Sequence, residues 1–117
     1  MSNLKDIIKT KKELMILKSA DVYELCMKVK DIDSYNGTYL KCVKNIAYRM
    51  ITEQAEYLLL AGEMSDRFGQ RIEMKYFNLN ETRNSKKITK IDNKIMSLTN
   101  EIFEIAKKVD ELELGKY

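Results

Sequence analysis

Glu53, Glu56, Glu63 and Asp66 are the residues whose types and spacing first suggest chemistry. Within each pair the carboxylates stand one helical turn apart and share a helix face, an arrangement that can grip a divalent cation. Cys26 and Cys42 are the only thiols, and neither belongs to a CxxC pair. Two cysteines cannot close a four-ligand zinc site, and their apolar neighbours describe small buried side chains in a reducing compartment. The chain has no His, so the commonest general base and the commonest zinc ligand are both missing. A Ser-His-Asp triad is impossible here.

In type, the two acidic pairs resemble the E-x-x-E and E-x-x-D pairs of all-α nucleotide pyrophosphohydrolases, whose carboxylates hold Mg²⁺ between two facing helices. Only Tyr57 to Gly62 separates Glu56 from Glu63, too short a gap for the pairs to face each other. On one helix they spread over about 80° of the polar face, and a magnesium site wants converging oxygens. They are read as a solvated face, and no metal or other cofactor is expected.

Two basic strips bear on nucleic acid. Tyr39, Lys41, Lys44, Tyr48 and Arg49 mix aromatic and cationic residues, but the two tyrosines fall on different edges of the helix and build no stacking platform. Arg83, Lys86, Lys87, Lys90 and Lys94 form the denser series and are the candidate phosphate contacts. Against a dedicated binder stands the even charge: residues 1–33, 34–80 and 81–117 each carry one basic residue more than acidic, for a total of +3.

The elements that must position these residues are all helical. Among 117 residues there is no Pro, and three long periodic segments, 4–32, 38–78 and 86–114, are separated by two polar breaks. Ser2 or Asn3 caps the first, Asn36-Gly37-Thr38 punctuates the turn before the second, and a kink near residue 20 is compatible with the Ser19 region. In the second, Val43, Ala47, Met50, Leu58 and Ala61 share an apolar stripe that Met64, Phe68 and Ile72 continue without a change of phase. The unbroken phase predicts one helix about 60 Å long at ~1.5 Å per residue, with a break at Gly62 as the alternative. In the third, Ile88, Ile91, Ile95, Leu98, Ile102, Ile105, Val109 and Leu112 follow an unbroken 3,4 spacing, as in a coiled coil. The fold expected is all-α: an elongated antiparallel bundle of three long helices, or four if Gly62 breaks the second, in a single domain.

Charge order on the last helix opposes its macrodipole. Lysines crowd its amino end, and Glu101, Glu104, Asp110, Glu111 and Glu113 crowd its carboxyl end. Antiparallel pairing would offset this, either with the same helix of a second subunit or with the Lys-rich start of the first helix. A 40-residue helix between shorter ones would also leave apolar surface uncovered. These features predict a homo-oligomer, most simply a homodimer, with Gly62, Phe68, Gly69, Ile72 and the eight seam residues at an interface. The function expected is a non-enzymatic, protein-binding regulator, inhibitor or adaptor. A nucleic-acid-binding regulator is the alternative, and a scaffolding coiled-coil subunit the third. Neither a signal peptide nor an apolar run of bilayer length is present in the sequence, which predicts a cytoplasmic location and no membrane partner. Abundant Lys, Asn, Ile and Tyr suit an AT-rich coding sequence, such as that of a phage or other mobile element.

Overall fold

In a computed structural model the backbone is described for residues 3–30, 37–53, 57–77 and 85–115, and side chains for 3–28, 41–53, 57–69 and 90–115. Four helices follow one another: α1 (Leu4–Lys30), α2 (Gly37–Glu53), α3 (Tyr57–Phe77) and α4 (Ser85–Glu113). No strand occurs among the described residues.

Local chemistry sets the outer ends. Asn3 caps α1, its Oδ1 accepting from the Asp6 amide at 2.9 Å, which satisfies one of the first-turn donors. The helix is continuous through residue 20, with the buried Ser19 hydroxyl donating back to the Met15 carbonyl at 2.8 Å. At the other terminus Gly115 takes φ 73° and its amide donates to the Leu112 carbonyl at 3.2 Å, the left-handed stop that glycine adopts most easily.

The single helix expected over 38–78 is not what forms. It is two helices, α2 and α3, and they lie side by side in contact. The division falls between Glu53 and Tyr57, whereas Gly62 sits inside α3. A stripe of constant phase records which residues are buried, and Met50 and Tyr57, one heptad apart, are both buried on either side of the division. Phase therefore survives a reversal of the chain, because each arm of the hairpin presents the same kind of face to the same core.

Contacts run around a ring. α1 touches α2 and α4, and α3 touches α2 and α4, while the diagonal pairs do not touch among the described residues. The connections, 31–36, 54–56 and 78–84, are too short to return along the helices they join, so neighbours are antiparallel. The result is an up-down-up-down four-helix bundle measuring 54 × 22 × 21 Å. Met15, Val22, Cys26, Val43, Ala47, Met50, Leu60, Ala61, Met64, Ile95 and Ile102 form its fully buried centre.

Two cross-helix pairs fix the α1–α4 register. Lys12 Nζ meets Glu113 Oε1, and Lys18 Nζ meets Glu101 Oε2, each at 2.8 Å. The Lys-rich start of α1 thus lies against the acidic end of α4 within one chain, the intramolecular form of the antiparallel pairing that the charge order required. Both pairs are largely solvated, so each contributes about 0–1 kcal/mol and chiefly sets register.

Candidate functional site

α4 shows how the bundle uses its apolar seam. Ile95, Ile102, Val109 and Leu112 are buried, Ile91, Leu98 and Ile105 are only half-buried, and the side chain of Ile88 is outside the described residues. The places between the buried seam residues are filled by Asp92, Thr99 and Ala106, so the inward spacing is 92, 95, 99, 102, 106, 109. α4 must face both α1 and α3, which widens its buried face beyond a two-stranded seam and rotates it away from Ile91, Leu98 and Ile105. Most of the residues expected at an interface between copies are thereby occupied within the bundle. Phe68 is buried too, and the Ile72 side chain is outside the described set.

Gly62 and Gly69 were expected to admit a neighbouring backbone. Inside the chain none comes near: a methyl group built at either would meet no heavy atom within 4 Å beyond the helix's own backbone and the adjacent residues. The α3 face that carries them is open.

The residues with chemical potential do not converge. Glu53 pairs with Arg49 at 3.5 Å, Glu63 and Asp66 are exposed on α3, and Glu56 lies outside the described residues. Among the described residues no three metal-ligating side chains gather. Cys26 is fully buried and Cys42 is half-buried. The Tyr48 ring, 55% exposed, leans on Tyr23 at a centroid distance of 6.0 Å, while the side chain of Tyr39 is outside the described set. Lys90 and Lys94 are exposed on α4; Lys86 and Lys87 occupy its first turn, with side chains outside the described set, as is Arg83 altogether.

What the fold does assemble is a polar axis. At one end, the upper end, lie the start of α1, the start of α3 and the finish of α4. Lys12 anchors that geometry, reaching Glu113 of α4 and lying 6.0 Å from the ring centre of Tyr57, the first residue of α3. α1 residues 4–11 extend about two turns beyond this junction, roughly 12 Å at 1.5 Å per residue. Among the described residues eight large hydrophobic side chains are exposed: Leu4, Ile7, Leu14, Leu58, Leu59 and Leu114 lie toward this end, Leu17 at the middle of α1, and Tyr48 on α2. The first six form a collar drawn from three helices, which periodicity within one helix does not reveal.

The lower end is basic. Taking α1 from residue 24, α2 to residue 46, α3 from residue 65 and α4 to residue 98, the helices carry Lys28, Lys30, Lys41, Lys44, Arg67, Arg71, Lys75, Lys86, Lys87, Lys90 and Lys94. Against these stand Glu24, Asp66, Glu73 and the buried Asp92. Antiparallel packing has gathered charges that are evenly spread along the chain.

No helix of the described residues is long and apolar enough to cross a membrane. Compared with known proteins, the chain matches no family model, no curated protein and no solved structure.

Proposed function

We propose that this protein is a non-enzymatic binding module, a regulator or adaptor that covers a partner's surface with the collared upper end of its bundle, and that it self-associates through that end. The observation that carries this reading is the presence of six exposed aliphatic side chains from α1, α3 and α4 toward one end. Leu59 is 58% exposed and Leu114 60%, and no packing within the chain requires such side chains there. Because they come from three helices and not from one flank of a single helix, a partner that covers them caps the bundle. A two-fold cap must be self-complementary, and the upper end carries both signs: Lys5, Lys9 and Lys11 on the α1 overhang, and Asp110, Glu111 and Glu113 in the last turn of α4.

Magnitudes make the dimer weak. Burying about seven half-exposed aliphatics across the contact contributes about 1 kcal/mol each, close to 7 kcal/mol, from which association costs of at least ~4 kcal/mol are subtracted. The ~3 kcal/mol left corresponds to a dissociation constant of several millimolar, a transient contact. Light scattering across concentrations from ~0.1 mM to ~5 mM tests it. The wild type should rise toward the mass of two chains, whereas Leu59→Glu and Leu114→Glu, both at highly exposed positions, should remain single with unchanged helicity. A wild type that stays monomeric at the highest concentration would sink the self-association.

A further inference from the structure

We propose that the outward face of α2 holds single-stranded nucleic acid, with the Tyr48 ring stacking on a base and Lys41 and Lys44 meeting the phosphates beside it. At 100° per residue, Lys41, Lys44, Asn45, Tyr48 and Thr52 share a sector about 100° wide. Val43, Ile46, Ala47 and Met50 fall on the opposite side and are buried, so the sector faces outward. Lys41, Asn45, Tyr48 and Thr52 are exposed, Lys44 is half-buried, and no acidic residue of α2 stands among them. Arg49 lies at the edge of the sector and is engaged by Glu53 at 3.5 Å, so it is left out of the site.

The fold supplies what the sequence of α2 lacks, a second ring for Tyr48. Tyr39 lies on another edge of the helix, but Tyr23 of α1 comes alongside, with ring centres 6.0 Å apart and planes 40° from parallel. Tyr48 is still 55% exposed, and no other aromatic side chain is exposed among the described residues. A ring braced by a neighbour has less freedom to lose when a base settles on it, and stacking accepts any base because every base has a π-face. Along the helix axis Tyr48 stands about 6 Å from Lys44 and about 10 Å from Lys41, so the backbone of a strand stacked on the ring can pass over both ammonium groups. Bases inside a duplex are stacked on one another, which leaves the ring useful to a single strand. An acidic peptide brings carboxylates and no base plane. This face belongs to α2 and shares no residue with the apolar collar, so either reading can fail without the other.

The test titrates an isotope-labelled full chain with an oligothymidylate of about eight nucleotides, followed by amide chemical shifts. The protein is kept near 0.1 mM, well below the concentration at which copies associate. Shifts should centre on α2 and on Tyr23, and affinity should fall with salt along a log–log slope of about −1.4, as two neutralised phosphates of a single strand require. Tyr48→Leu should lose at least about fivefold in affinity, whereas Tyr48→Phe, which keeps the π-face, should change it less than about twofold. Lys41→Gln/Lys44→Gln should bring the slope close to zero, and Lys90→Gln/Lys94→Gln, the same change in net charge on α4, should leave it unaltered. Circular dichroism on each variant keeps a folding defect from counting as a binding defect. The proposal is overturned by no binding at about 50 mM salt, by an unchanged affinity in Tyr48→Leu, or by a strand lacking bases or polyglutamate of matched charge binding as well as the oligothymidylate.

Discussion

Single residues in the centre of this bundle show how much polarity the core tolerates. Ser19 settles its hydroxyl on the Met15 carbonyl, one turn back, and leans toward Met50 Sδ at 3.7 Å. Thr99, 1% exposed on the facing helix, has an Oγ1 with no hydrogen-bond partner among the described residues. A buried hydroxyl without a partner costs about 1–3 kcal/mol, and valine has the same shape without that cost. Thr99→Val should therefore stabilise the fold by about 1 kcal/mol, seen as a midpoint about 4 °C higher in thermal unfolding; a lower midpoint would show the hydroxyl to be satisfied. Tyr57 offers a second test. Burial disfavours its phenolate and raises its pKa above the usual 10.0. A raised folded-state pKa contributes stability that is complete below the unfolded value and lost as pH climbs through the folded one. Between pH 9 and 12 the wild type should lose more stability than Tyr57→Phe in parallel denaturant titrations, because the phenylalanine variant has no phenol to ionise. Equal slopes would place Tyr57 in a wetter setting than its 6% exposure indicates. Neither feature was legible in the sequence, since a Thr or Tyr in an amphipathic helix reads the same whether its hydroxyl meets a partner or not.

At the scale of elements, helix type and outer boundaries were legible and the internal division was not. The last helix was expected over 86–114 and forms over Ser85–Glu113, with Gly115 as its stop, because turn-forming residues and a strong apolar period agree there. The 38–78 segment has no such punctuation where it divides. Residues 54–56 are Gln, Ala and Glu, three good helix formers, and propensity alone gives no reason to stop at Glu53. Closing a four-membered ring of helices buries more of the stripe than a long helix with one unsupported arm. Burial of that size outweighs a few tenths of a kcal/mol per residue of propensity. Gly62 and Gly69, the apparent punctuation, sit within α3 with nothing within 4 Å of an added methyl. Gly62→Ala and Gly69→Ala should each stabilise the monomer by about 0.5–1 kcal/mol in chemical denaturation, as removing glycine from a helix interior does. Should either variant destabilise, α3 would be packed at that face in solution. Register on α4 was half legible. The Ile95, Ile102 and Val109 series goes inward as its spacing implies, but Ile91, Leu98 and Ile105 give way to Asp92, Thr99 and Ala106 because α4 serves two neighbours at once.

For the whole molecule, the proposed capping contact has a consequence for shape. Capping through the collar predicts an elongated dimer: solution scattering should show a maximum dimension approaching twice the 54 Å of one bundle, with both basic ends pointing outward. A side-by-side dimer along the α3 glycines would stay near that single length and would move the interface away from Leu59 and Leu114. Residue types and spacing alone determined the helical class, the antiparallel sense of the charge order and the absence of histidine chemistry, because each depends on identity or on separations within a turn or two. The tertiary structure alone decided where the 38–78 segment folds back, which half of the α4 seam is buried and where the helices' charges collect. Those outcomes depend on which helices become neighbours, and antiparallel packing brings the two ends of each helix to opposite poles. The even distribution of charge along the chain therefore becomes an uneven one in space.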